Sequence, residues 1–268
     1  MRKGNVDPKT IDLIIYIGEE YKEYPVWTAA IKLQEAIGAY HAWAFDVAQR
    51  CGTTIMAIKI AKNIMQSDPA IRTVLLAGGY RNGDLIDYTN ERTRFMFNLA
   101  AGGAAMILHQ DHPENIILES DIITDGSFSE DVIVPVGGTK SPITPDTLAQ
   151  FRLDVPDPEG MKMRLEQKSM QNFLQVIRTS LQKSGYTEKD IDYLSILHMK
   201  KSAHDYVLNE LGVPEEKSIY LNKFGHIGQI DQILSLELAE QEGKLADGDI
   251  VVLISAGIGY AWGAVTVR

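Results

Sequence analysis

The chain repeats itself. Lys9-Thr10-Ile11-Asp12-Leu13 opens one apolar run, and Lys189-Asp190-Ile191-Asp192-Tyr193 opens another 180 positions later. The same order follows in both halves. A helical stretch closes on Glu35-Ala36-Ile37-Gly38 in the first and on Asn209-Glu210-Leu211-Gly212 in the second. Val74-Leu75-Leu76 precedes Gly78-Gly79, as Val252-Leu253-Ile254 precedes Ala256-Gly257. Three matches in register imply a duplicated unit. Duplicated α/β halves pack about a pseudo-twofold axis, with a cleft between them as the natural site.

The hydrophobic periodicity gives the unit its content. Strand-like runs over 11–17, 43–47, 74–77, 104–108, 116–123, 193–197, 218–222 and 250–255 alternate with helical runs over 27–37, 53–65, 161–182, 204–211 and 231–242. This alternation predicts an α/β fold with mostly parallel sheets. The polar, proline-containing stretch His109–Asn115 separates an N-terminal half, 1–112, from a C-terminal half, 113–268. Ahead of its marker the second half has a strand region and a long helix, where the first has only a few residues. The first half is therefore expected to be truncated, without an opening strand and helix. The loop-rich stretches 137–145 and 155–160 are expected to cover the cleft.

Composition excludes several functions. With 45% hydrophobic and 23% charged residues, the 268-residue chain has ample core for one large or two ordinary domains. No apolar run reaches the ~18 residues of a membrane helix, and Met1–Asn5 is no signal peptide, so the expectation is a cytoplasmic protein without a membrane partner. A net charge of −10 argues against nucleic acid. The single cysteine excludes an internal disulfide and a cysteine-rich zinc site. No metal or cofactor is expected, and no H-E-x-x-H, P-loop or G-x-S-x-G pattern occurs.

That cysteine, Cys51, falls between a short buried strand at 43–47 and the helix starting at Thr53. A helix N-terminus favours the thiolate of a cysteine placed there, which makes Cys51 a candidate nucleophile. The alternative is a small buried core thiol. His198 ends a second-half strand, at the sheet edge where α/β folds expose functional side chains; otherwise it is a hydrogen-bonded structural residue. His226 lies in Lys223-Phe224-Gly225-His226-Ile227-Gly228, between glycines that let the backbone turn sharply. Taken together, the three suggest a thiolate with acid/base or oxyanion partners. Ser255-Ala256-Gly257-Ile258-Gly259-Tyr260-Ala261-Trp262-Gly263 is either a tight turn or a backbone donor for an oxyanion. Lys200 and Lys201 could attract an anion or simply face solvent. Glu19 and Glu20 are solvated charge or cleft carboxylates. His41, His109 and His112 receive no role.

Together these residues resemble the beta-ketoacyl-ACP synthase III family of the thiolase-like condensing enzymes. The matching pieces are Ala44-Phe45-Asp46-Val47-Ala48 before Cys51, the strand ending at His198, the Phe-Gly loop at His226, and Gly257 to Gly263. The resemblance implies two pseudo-symmetric halves in a five-layer α-β-α-β-α sandwich, assembled as a homodimer and serving fatty acid biosynthesis. It implies that Cys51 is acylated by an acyl-CoA, with the Cys51 and Ile258 amides as oxyanion hole and Gly257 and Gly259 binding the substrate beside it. His198, with His226, would support decarboxylative Claisen condensation with malonyl-carrier-protein or malonyl-CoA, acyl carrier protein being a possible partner. Coenzyme A is substrate here, not cofactor. Val26 and Trp27 would reach the partner's acyl pocket, and Lys200 and Lys201 would line the pantetheine mouth. The chain departs from the family at His226, where the family has Asn, at Asn98–Gly103 and at Met199–Lys201. Two alternatives remain: a hydroxymethylglutaryl-CoA synthase-like condensation using Glu20, and a non-condensing partner subunit.

Overall fold

A computed structural model describes residues 6–268; Met1–Asn5, read above as no signal peptide, lies outside them. The first sheet contains β1 (Leu13–Tyr16), β2 (Trp43–Asp46), β3 (Thr73–Tyr80) and β4 (Gly102–His109), in the order β2-β1-β3-β4. The second contains β5 (Ile117–Thr124), β6 (Tyr193–Ile196), β7 (Val251–Gly257) and β8 (Ala261–Val267), in the order β5-β8-β7-β6. The helices are α1 (Ala29–Ile37), α2 (Thr53–Ser67), α3 (Pro158–Lys183), α4 (Lys201–Leu211) and α5 (Asp231–Gln241).

Side-chain alternation along the strands builds the layers. Leu13 and Ile15 of β1, Val74 and Leu76 of β3, Tyr193 of β6 and Leu253 of β7 point to one shared core, which also takes Ile55, Ile58 and Ala61 of α2 and Ala239 of α5. The two sheets thus sandwich α2 and α5. The intervening residues point outward: Ile14 and Leu75 pack beneath α1 with Ala30. Leu194, Ile196, Val252 and Ile254 pack beneath α3 and α4, against Phe173, Ile177, Val207 and Leu211. This is the expected α-β-α-β-α order.

The repeated residues have identifiable tasks. Asp12 Oδ2 accepts the Arg72 and Thr73 amides, both at 2.8 Å, and ties the chain before β1 to the start of β3. Asp192 does the same in the second half, accepting the Ile250 amide at 3.0 Å. Gly38 and Gly212 end α1 and α4 at φ 76° and 65°, the left-handed cap that favours glycine. β5 and α3 have no counterpart beside β4 among the described residues.

Three expectations need correction. The sheets are mixed rather than mostly parallel: β3–β4, β7–β8 and β5–β8 are antiparallel, because each half ends in a returning strand. The 218–222 segment is not a strand. There the Ser218 hydroxyl donates to the Leu194 carbonyl at 2.7 Å, so a side chain takes the place at the β6 edge that a ladder amide would need. Glycine density hid β8, whose Trp262 and Ala264 face one core while Val265 faces the other.

Asp12→Ala should leave two backbone amides without their acceptor and lower stability by about 1–3 kcal/mol. Urea unfolding of the variant checks this; an unchanged midpoint would show that the aspartate does not pin the strands.

Candidate active site

The segment after β2 turns back on itself before α2. Arg50 adopts φ 52°, a left-handed conformation that a non-glycine residue rarely takes. Thr53 holds this turn from both sides: its Oγ1 accepts the Gln49 amide at 2.8 Å and donates to the Arg50 carbonyl at 2.6 Å. The Ser255 hydroxyl of β7 donates to the Cys51 carbonyl. Gly257 then passes so close that a Cβ there would lie 2.5 Å from the Gln49 carbonyl oxygen. Glycine is therefore required at 257 by contact with the cysteine turn. Cys51 ends up 8% exposed at the head of α2.

The second half supplies its partner from the matching place, a turn leading into α5. The His226 amide donates to the Asn98 carbonyl at 3.0 Å, and its carbonyl accepts the Ala100 amide at 2.9 Å. Both flanking glycines are left-handed, with φ 73° at Gly225 and 57° at Gly228. A Cβ on Gly228 would strike the Tyr80 ring at 2.4 Å. Thr54 Oγ1 donates to the Gln229 carbonyl at 2.6 Å, fastening the two turns together. The outcome is a contact across the halves: His226 Nε2 lies 3.1 Å from Cys51 Sγ.

The other face of His226 meets a residue that the sequence reading missed. Asp231 is fully buried, and its Oδ2 lies 2.6 Å from His226 Nδ1. Oδ2 also accepts the His198 amide at 2.7 Å, and Oδ1 accepts the Ile227 amide at 2.7 Å. A buried carboxylate is costly unless it is paired and hydrogen-bonded, and here every donor comes from the site itself. Burial alone would depress His226. The facing Cys51 sulfur and then the Asp231 carboxylate outweigh burial and hold it well above its ordinary value. The available signal was an aspartate five residues after His226, at the first turn of a helix.

His198 follows β6 as expected, but the structure brings His226 rather than His198 into hydrogen-bond contact with Cys51. The His198 ring lies beside Tyr220, with centroids 5.1 Å apart, and its buried Nδ1 has no hydrogen-bond partner among the described residues. Burial lowers its affinity for a proton; Asp231 opposes this, and the His226 charge reinforces it. The two neighbouring imidazoles are thus pushed in opposite directions, His226 toward the cation and His198 toward the neutral ring.

The remaining candidates divide. Ile258 and Gly259 line a cavity of about 350 Å³ together with Gln49, Arg50 and Glu20. Gly259 takes φ 124°, which favours glycine. Glu20 is 59% exposed and paired with Arg50, which also reaches the buried Glu19 at 3.4 Å. Lys201 pairs with Asp205 and, at 2.9 Å, with Glu215, so its charge is already matched; Lys200 is exposed at the start of α4. Val26 is fully exposed at φ 54°, and Trp27 sits edge-on to Tyr24 at 5.7 Å. Among the described residues, no three His, Cys, Asp or Glu side chains are grouped to hold a metal ion.

The family model for 3-oxoacyl-[acyl-carrier-protein] synthase III matches residues 45–126, and the model for its C-terminal part matches residues 181–268. The chain belongs to the 3-oxoacyl-[acyl-carrier-protein] synthase III family. It is 28% identical to the beta-ketoacyl-[acyl-carrier-protein] synthase III of Symbiobacterium thermophilum, over all of this chain and 79% of that protein. It is 26% identical to that of Chlorobium luteolum, over all of this chain and 80% of the relative. The crystal structure of the Aquifex aeolicus synthase III superposes with a TM-score of 0.83 at 22% identity, covering all of this chain and 80% of that one. That likeness carries the fold.

His204, 2% exposed and 5.3 Å from the Tyr220 ring, backs the same ring that His198 packs against. Burial and then Lys201 push it down to about 4. Below the ordinary histidine value near 6.5 the unfolded chain takes up a proton that the fold refuses, so stability should fall as pH drops from about 6.5 to about 4. Urea titrations at several pH values should show that slope, and His204→Gln should flatten it; equal slopes would remove the buried neutral histidine from the account.

Proposed function

We propose that the chain is an acyltransferase of the beta-ketoacyl-ACP synthase III type, in which Cys51 carries the acyl group. The Cys51–His226 contact of 3.1 Å is the observation that supports this most directly. In this reading the Cys51 thiolate attacks the carbonyl of an acyl-CoA. The oxyanion takes hydrogen bonds from the Cys51 and Ile258 amides, whose segments meet at Gly257. Coenzyme A leaves with the proton held on His226 Nε2. A malonyl thioester, on carrier protein or coenzyme A, then loses carbon dioxide. His198, favoured as the neutral ring, donates to the enolate oxygen. The enolate carbon attacks the acyl-enzyme and expels the Cys51 thiolate, and one solvent proton restores His226.

The working unit in this reading is a homodimer, and a cytoplasmic location goes with that substrate class. Support comes from β2, which among the described residues pairs only with β1 and leaves its outer edge open beside the half-exposed Trp43. The fully exposed, left-handed Val26 is a second sign of a covering surface. In this reading the halves run over 1–112 and 113–268 and meet in the linker between β4 and β5.

Intact-mass analysis after incubation with a series of acyl-CoA donors should show one acyl adduct, absent from Cys51→Ala; an adduct retained by that variant would refute the nucleophile. His198→Ala should keep the adduct and slow β-ketoacyl formation by about 10²-fold or more. Unchanged condensation would make His198 structural. Light scattering should report a dimer, and Val26→Asp should shift it toward monomer; a monomeric wild type would contradict the assembly.

A further inference from the structure

We propose that the acyl group on Cys51 is also discharged onto a neutral hydroxyl group, with His226 as general base and Asp231 as its positioning residue. The inference rests on the acyl-enzyme reading above and adds a second acceptor chemistry. Cys51 Sγ, His226 Nε2, His226 Nδ1 and Asp231 Oδ2 form one line of contacts of 3.1 and 2.6 Å. A nucleophile, an imidazole and a buried carboxylate in that sequence make a catalytic triad, recognised by geometry and roles rather than by fold. Decarboxylative condensation has no use for such a base, because loss of carbon dioxide generates the carbanion without proton abstraction. What it requires is hydrogen-bond donors to the enolate.

The proton balance points to the acceptor. When coenzyme A leaves with the Nε2 proton, His226 remains neutral. Asp231 accepts the Nδ1–H bond, so the lone pair of Nε2 faces the thioester. A neutral R–OH then loses its proton to Nε2 as its oxygen attacks the acyl carbon. The C–S bond breaks, an ester or acid is released, and the thiolate–imidazolium pair returns without a solvent proton. The charged and titratable groups that face His226 among the described residues fit this cycle. Asp231 and Cys51 favour its protonation, and Tyr80, centroids 6.2 Å away, is kept as the neutral phenol by burial and by the Cys51, Glu19 and Asp231 charges. His198 is favoured as the neutral ring and does not compete for the proton. A cavity of about 350 Å³ is lined by Gln49 and Arg50 of the cysteine turn and carries Thr124, Glu20 paired with Arg50 and Asp125 paired with Lys168 on its wall, a polar surface for a hydroxylated acceptor.

The test separates this step from the one it rests on. Wild type, Asp231→Asn and His226→Asn are acylated with the best acyl-CoA donor, freed of excess thioester and followed by intact mass, in buffer alone and with glycerol as the hydroxyl probe. Wild-type adduct should decay to glyceryl ester or free acid, faster as pH rises through the His226 titration, the two products separating alcohol from water as acceptor. Both variants should slow that decay by about 10³–10⁴-fold, and Asp231→Asn should also displace the pH profile, which simple loosening of the fold would not do. If Asp231→Asn does not fold, His226→Asn carries the comparison. An adduct that forms but persists in wild type with both acceptors, or decays equally in all three proteins, overturns the hydroxyl step alone. No adduct in wild type overturns the acyl-enzyme and this step with it.

Discussion

A single buried carboxylate organises the site. Asp231 opens α5 inside the protein, and removing its negative charge from water would cost several kcal/mol if it were unpaired. The amides of His198 and Ile227 and the ring of His226 supply what it needs. Meeting that need fixes everything around it. The imidazole can turn neither its Nδ1 nor its plane, so Nε2 points at Cys51. The strand end carrying His198 is drawn to the same oxygen. The charge also sets the two histidines apart, because it sits against the ring of one and the backbone of the other.

The duplicated architecture explains how residues 175 positions apart meet. Each half sends a short turn into the N-terminus of its central helix, α2 or α5, and both helices lie in the layer between the sheets. The pseudo-twofold relation brings the two turns face to face. Cys51 occupies one and His226 the other, so their contact of 3.1 Å spans the interface between halves. Close packing enforces the alignment: Gly257 leaves no space for a side chain against the cysteine turn, and Gly228 leaves none against Tyr80. In 3-oxoacyl-[acyl-carrier-protein] synthase III terms, the fold contributes precise facing of two loops, and the chemistry depends on what those loops carry.

Much of this was readable from the chain. The repeated Ile-Asp and Gly positions marked the halves, since backbone pinning and left-handed helix ends each admit few residue types. The lone cysteine ahead of a helix, the histidine at a strand end and the histidine between glycines each pointed to the site. Asp231 did not, because an aspartate in a helix's first turn ordinarily faces solvent and stabilises the dipole. Only the three-dimensional closure of the His226 turn buries it. Residues 218–222 misled for the opposite reason. Their apolar run suits a strand, but one serine hydroxyl satisfies the neighbouring edge carbonyl. β8 was masked by glycines that permit close approach of Ile55 and Ile122 at Gly263 rather than ending the strand.

The central claim is that His226 is held as an imidazolium by the sulfur in front of it and the carboxylate behind it. Nitrogen-15 NMR of the His226 ring across pH tests this without substrate. The account predicts titration well above the ordinary histidine value in the wild type, and a downward shift when Cys51→Ala removes the facing sulfur while Asp231 stays in place. A ring that titrates at the ordinary value in both proteins, or is unmoved by loss of the sulfur, would contradict it.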